Sequence, residues 1–313
     1  MYIENIDSPD DLKRLGFEEM NLLSSEIREI IISTVSKTGG HLAPNLGAVE
    51  ITLALHYCLD SPKDKIVWDV GHQCYTHKIL TGRKRIFHTL RQYKGISGFP
   101  KVEESPHDSF NTGHASTSIS AALGMAKARD LKGEKHHVIA VIGDGALTGG
   151  LALEGINQAG YLNTDIIIIL NDNKMSISPN VGALSEYTHR VTRTQTYQKI
   201  QEDIRELINN ANGIKPVVER LKDHLRVVGS PGLLFEKLGI HYIGPVDGHN
   251  IVELVNAVEK AKEHRGPVLV HVLTEKGFGY SPALCNKPGF HGTGPFNVAV
   301  SYTHLTLPTK RIV

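Results

Sequence analysis

With 313 residues, 40% of them hydrophobic, the chain is long enough to bury the core of one large α/β domain or two ordinary ones. Its 34 Lys and Arg against 33 Asp and Glu leave a formal charge of +1, which excludes recognition of nucleic acid or an acidic membrane by bulk charge. Three cysteines (Cys58, Cys74, Cys285) without a Cys-x-x-Cys spacing suggest neither a disulfide framework nor a zinc knuckle, no apolar run approaches eighteen residues, and Met1 to Asp10 carries acids and a proline where a signal peptide needs an apolar core, so the expectation is a soluble cytoplasmic protein.

In chain order, residues 18 to 38 carry a helical stripe (Leu22, Leu23, Ile27, Ile30, Ile31) that should stop at Gly39-Gly40, leaving His41 in a loop. Leu46 to Leu59 reads as a second helix, and Ile66 to Val70 as a short buried strand that places His72 just past its carboxyl end. A histidine is ordinarily a satisfied core or surface residue, but two at element ends, beside glycine, shift the reading toward a site. Residues 81 to 112 look irregular, broken by Gly95, Gly98, Pro100 and Pro106, and Arg83-Lys84-Arg85 reads as a solvated face. Gly113-His114 precedes a small-residue helix whose N-cap is expected at Ser116.

The stretch from His137 to Ser178 organises the rest. The β-branched run Val138 to Ile142 ends in Gly143-Asp144-Gly145, a Gly- and Ala-rich helical segment follows, and a second apolar run, Asp165 to Leu170, ends in Asn171-Asp172-Asn173. In an open parallel sheet, ligands bind just outside the carboxyl ends of the strands, so Asp144 and Asn173 are expected on one rim and within reach of one ion. A carboxylate, an amide oxygen and backbone carbonyls, such as those of the turn Met175 to Pro179, are hard ligands suited to magnesium or calcium. Magnesium completes its shell with phosphate oxygens and water, so the set points to a divalent ion bridging the protein to a diphosphate.

Beyond that, Tyr187 to Val228 reads as a charged helical excursion, Leu233 to Leu238 as helix, His241 to Ile243 as strand, Ile251 to His264 as amphipathic helix and Pro267 to Leu273 as strand. Alternation of strands with helices predicts a doubly wound, mostly parallel sheet covered on both faces, with no internal repeat and no low-complexity linker.

Gly143-Asp144-Gly145 followed by Asn171-Asp172-Asn173 resembles the thiamine-diphosphate motif of the transketolase-like enzymes. Within them, Gly39-Gly40-His41-Leu42, Asp69-Val70-Gly71-His72-Gln73, Gly113-His114-Ala115-Ser116-Thr117-Ser118, Tyr242 to His249, Lys276 to Tyr280 and Phe290 to Phe296 resemble the 1-deoxy-D-xylulose-5-phosphate synthases, from about Ile6 to Asn297. The resemblance implies condensation of pyruvate with D-glyceraldehyde 3-phosphate and release of carbon dioxide, with thiamine diphosphate and magnesium as cofactors, in a homodimer. It implies Asp144, Asn173 and the Met175 carbonyl as magnesium ligands. His72, Gly113, His114, Ala115, Gly145, Ala146, Asn173 and Tyr280 become cofactor contacts, and His41 and His291 face the reacting carbon. Ala115 departs from the Ser often found there, which affects only a side-chain contact.

The resemblance stops near Asn297. Residues 1 to 297 are therefore expected to form the diphosphate-binding domain. Residues 298 to 313 are expected to be a foreign tail resembling sequencing-adapter read-through, with the pyrimidine-binding and C-terminal domains missing. In such enzymes a glutamate of the second domain activates the cofactor, so this piece alone is expected to be inactive. A diphosphate-binding subunit of a split transketolase-like enzyme is the alternative. A plain nucleotide-binding domain fits less well, because Gly143 to Gly149 places its third glycine one residue late for Gly-x-Gly-x-x-Gly.

Overall fold

The structure, a computed structural model, describes residues 1–173, 175 and 232–300. The expected helical excursion at 187–228, most of the turn after Met175 and the tail at 301–313 lie outside the described residues. Five strands, β1 (Lys65–Trp68), β2 (Val138–Gly143), β3 (Ile167–Asp172), β4 (His241–Asp247) and β5 (Val268–Leu273), form one sheet in the order β1-β2-β3-β5-β4, and every pair is parallel.

The apolar runs are continuous because both faces of the sheet are buried. Ile139 and Val141 of β2 and Ile167 and Ile169 of β3 face one core, packed by the helices Phe17–Thr38, Val49–Cys58 and Ile251–Glu263. Val138, Ala140, Ile142, Ile168 and Leu170 face the other, packed by Ser118–Lys132, Gly150–Leu162 and Gly232–Lys237. Each of the Val, Ile and Leu side chains contributes about 1.5–3 kcal/mol on burial. This is the doubly wound parallel sheet that the alternation predicts. Among the described residues no helix is long and apolar enough to cross a membrane.

Helix Phe17–Thr38 forms as expected but buries Met20, Leu23, Ile27, Ile31 and Val35; of the expected stripe, Leu22 is exposed and Ile30 half-buried, because the face toward the core is turned by one position. It ends at Gly39, whose φ of 71° needs glycine. Several boundaries differ from the sequence reading for tertiary reasons. The expected helix Leu46 to Leu59 is two helices, Leu42–Leu46 and Val49–Cys58, with His41 as the N-cap of the first. They break at Gly47, where an added Cβ would lie 2.9 Å from the Glu275 carbonyl oxygen. Strand β3 starts two residues late because Asp165 instead accepts from the Gly266 amide at 2.6 Å and pairs with Arg265. Strand β4 extends to Asp247 through a register shift between Ile243 and Val246, where Pro245 has no N–H to give the ladder.

Two local expectations are corrected. Arg83 is buried, not solvated, because its guanidinium binds both oxygens of buried Asp108, at 2.6 and 2.8 Å. Lys84 donates to the carbonyls of Ile3, Glu4 and Ile6, and only Arg85 of the three stands in solvent. Ser116 is not the N-cap: Thr117 holds that position, and the cap is made by Asp69 from the end of β1.

Candidate functional site

The carboxyl ends of four strands deliver polar groups to one place. Asp69 follows β1, Asp144 follows β2, Asn173 follows β3 and Lys276 lies in the loop after β5. Gly143 pairs with Asn171 across β2 and β3, so Asp144 and Asn173 leave neighbouring parallel strands side by side. Both line a cavity of about 390 Å³, together with His41, His72, Ala115, Gly145, Ala146, Met175 and His291. The Met175 amide donates to Asn173 Oδ1 at 3.2 Å, which folds that residue back over the amide oxygen.

His291 reaches the site from a distant part of the sequence through backbone pairing. Gly40 and Thr293 exchange N–H···O bonds of 2.8 Å, and the Ala43 amide donates to the Phe290 carbonyl at 2.8 Å. Three imidazoles then meet, with ring centroids 5.3 Å (His41–His72), 5.7 Å (His41–His291) and 5.3 Å (His72–His291) apart. Burial first, and then the cations Arg91 and Lys276, push His41 down to about 4. Burial with the neighbouring His41, His291 and Lys276 takes His72 to about 3. His291 falls to about 4 through burial and then Lys276 and His41. All three rings are therefore neutral at pH 7, each with one donor and one acceptor nitrogen.

Lys276 is buried, and its Nζ lies 2.7 Å from His291 Nδ1. Burial lowers it to about 8 against the pull of the Asp144 carboxylate. As an ammonium it donates to His291 Nδ1, which leaves the proton of that ring on Nε2. Asp69 accepts from the amides of Ser116 (2.8 Å) and Ser118 (3.0 Å), fixing the loop that presents Ala115. Ser116 Oγ donates to the Ala146 carbonyl at 2.7 Å, and a Cβ on Gly149 would come within 2.1 Å of Ser116 Oγ, so the loop and the turn after β2 interlock.

Three expected site residues do not line the cavity. Gly113 and His114 are exposed, with the His114 carbonyl accepting from Thr117 Oγ1. Tyr280 is half-buried, edge-on to Phe290 at 6.0 Å. Conversely, the sequence reading assigned no role to Lys276, Asp69, Gln73 or Asn171, which all line the cavity. All four lie in the quoted strings, which carried kinship but not direction in space.

The donor set fits a magnesium-bound diphosphate: Asp144 and Asn173 are hard oxygen donors, beside small residues where backbone can approach an anion. His41 Nδ1, His72 Nδ1 and Gln73 Oε1 are buried without a hydrogen-bond partner among the described residues, a cost of about 1–3 kcal/mol each that a polar ligand would relieve. A larger groove of about 750 Å³ lies at the opposite ends of β2 and β3. It is lined by charges that pair with one another, such as Arg265 with Asp165 and Arg129 with Asp130, and it holds none of these groups.

Residues 3–274 match the family model described as 1-deoxy-D-xylulose-5-phosphate synthase. A protein of that name from Halothermothrix orenii is 57% identical over 299 residues, covering 94% of this chain and 47% of the relative. One from Brevibacillus brevis is 52% identical over 313 residues, covering 99% and 50%. The chain thus spans about half the length of the curated relatives it matches. Among solved structures, a transketolase from Leishmania mexicana superposes with a TM-score of 0.64 at 20% identity, covering 92% of this chain and 41% of that one. A transketolase from Campylobacter jejuni gives 0.62 at 19%, covering 93% and 44%. These two likenesses establish a shared fold.

Proposed function

The chain belongs to the 1-deoxy-D-xylulose-5-phosphate synthase family, and from that premise we propose that its cavity holds the diphosphate of thiamine diphosphate through a magnesium ion. The activity served is condensation of pyruvate with D-glyceraldehyde 3-phosphate with release of carbon dioxide. The observation that carries the reading is the pairing of Gly143 with Asn171, which sets Asp144 and Asn173 at adjacent strand ends on one cavity. The same reading carries a homodimer and a cytoplasmic location, the latter in keeping with the free thiols of Cys58, Cys74 and Cys285.

Thiamine diphosphate, when bound, supplies the carbon nucleophile and the electron sink for decarboxylation. The chain supplies position and protons. Asp144, Asn173 and the Met175 carbonyl would hold magnesium, and Gly145 and Ala146 would let backbone approach the phosphates. His72 and Ala115 would contact the cofactor from the cavity wall, whereas the contacts that the resemblance assigns to Gly113, His114 and Tyr280 have no place in the cavity lining. His41 and His291, neutral and desolvated, can take or give a proton without first shedding a charge. The bond from Lys276 presents His291 to substrate as an Nε2–H donor.

Calorimetric titration of thiamine diphosphate into the protein with and without magnesium tests this. Binding should require the ion, and Asp144→Ala or Asn173→Ala should weaken it at least ~10-fold, as loss of metal-site groups typically does. Magnesium-independent binding, unchanged in both variants, would overturn the assignment.

A further inference from the structure

The two histidines His41 and His72 belong to different loops, yet one buried side chain touches both. Asn45, fully buried in the short helix Leu42–Leu46, donates from Nδ2 to the His41 carbonyl at 2.5 Å and to the His72 carbonyl at 2.7 Å. Its Oδ1 accepts from the Tyr75 amide at 2.8 Å. The Tyr75 hydroxyl in turn accepts from the His41 amide at 3.1 Å, closing a ring of three residues, Asn45, His41 and Tyr75, from which the bond to His72 branches. Both amide protons of Asn45 are spent on the backbone of residues whose side chains line the cavity.

The loop before His72 needs such a restraint. Val70 has φ 58° and Gly71 φ 85°, so two consecutive residues sit in the left-handed region, and the first is β-branched. Such a conformation persists only where the surroundings over-determine it. On one side the restraint is the capping carboxylate of Asp69, and Thr112 and Pro100 crowd Gly71, where a Cβ would lie 2.3 and 2.4 Å from them. On the other side it is Asn45.

We propose that Asn45 is a positioning residue of the site, holding the His41 and His72 imidazoles in register by clamping both backbones on one amide. No other uncharged side chain of this size can give two donors and an acceptor at once: a leucine gives none, and a serine one donor. As a role in cofactor binding the proposal rests on the functional reading above; as a statement about position it stands by itself.

The test uses the chain without cofactor, labelled at histidine, and Asn45→Leu, which keeps approximate volume and adds no charge. The wild-type rings, 5.3 Å apart centroid to centroid and nearly perpendicular, should show a His41–His72 ring-proton NOE. Asn45→Leu should lose that NOE and shift both sets of imidazole resonances. Thr52→Val, which removes the buried bond from Thr52 Oγ1 to the Ala48 carbonyl on the adjoining helix, should lower stability yet keep the NOE. Should Asn45→Leu not fold, Asn45→Ser is read in the same way. Retention of the wild-type NOE and shifts in the folded variant overturns the proposal, as does their equal loss in Thr52→Val. Calorimetry with magnesium and thiamine diphosphate separates the two readings. Loss of the NOE in a protein whose wild type never binds the cofactor upholds the clamp and defeats the function. A folded variant that keeps the NOE defeats the clamp whatever the wild type binds.

Discussion

Asp69→Asn isolates the link between the sheet and the site. The wild-type carboxylate is 1% exposed and accepts from two backbone amides, Ser116 at 2.8 Å and Ser118 at 3.0 Å. The amide keeps the shape and one acceptor oxygen but turns an NH2 toward a donor. Hydrogen bonds to a charged partner are worth about 1.5–3 kcal/mol net, and an amide left unpaired in the interior costs about 1–3 kcal/mol. Loss of the negative charge at the start of helix Ser118–Lys132 adds about 0.3–1 kcal/mol. Since one interaction survives in part, the sum is about 2–4 kcal/mol, a large fraction of a typical stability of ~5–15 kcal/mol. Urea unfolding should read it as a midpoint lowered by about 1 M, taking a slope near ~3 kcal/mol/M. Asp69→Ala, which leaves both amides unpaired, should lie at the upper end. A loss below about 0.5 kcal/mol in both variants would show that something other than Asp69 satisfies this helix terminus.

How legible the molecule was in its sequence depends on the range over which each feature is determined. The strands β2 and β3 and the helix Phe17–Thr38 were readable because their burial imposes a period on successive side chains, and Asp144 and Asn173 were readable because strand ends share a rim. Arg83 was not, because a triplet of cations looks solvated until Asp108, 25 positions on, is known to lie against it. The break at Gly47 was hidden for the same reason: its cause is the Glu275 carbonyl, more than two hundred residues away in sequence. Lys276 stood in a quoted string, but its burial beside His291 depends on the strand pairing that draws Thr293 to Gly40. Asn45 illustrates the limit best. Asparagine in a short turn-like segment reads as local turn chemistry, whereas here its side chain bonds to His41, His72 and Tyr75.

The buried imidazoles make stability depend on pH in a known direction. For His72, folded near 3 against a usual 6.5, the unfolded chain binds the extra proton between those values, so its contribution is fully present above about pH 6.5 and falls by about 1.4 kcal/mol per pH unit as pH drops. Urea titrations at pH 7 and 5 should give a shallower pH dependence for His72→Gln than for wild type, and equal slopes would refute the burial argument. Turnover by the 313-residue chain alone turns on a different question, namely which carboxylate activates the cofactor. Among the described residues the carboxylates lining the cavity are Asp69 and Asp144, the first committed to two amides and the second, in our reading, to magnesium. Glu50, the buried glutamate among the described residues, is held by Arg28 at 2.6 Å and by His249 at 3.1 Å, which keep it ionised and occupied. The resemblance assigns activation to a glutamate of a second domain, whose context matches no residue here, and lack of a general acid–base partner forfeits about 10²–10⁴-fold in rate. With magnesium, thiamine diphosphate, pyruvate and glyceraldehyde 3-phosphate, carbon dioxide release should therefore fall at least ~100-fold below the ~10 s⁻¹ of an ordinary enzyme. Release at that ordinary rate would mean that a carboxylate within these residues does the activation, and Glu50→Gln and Asp69→Asn would be the first variants to show which.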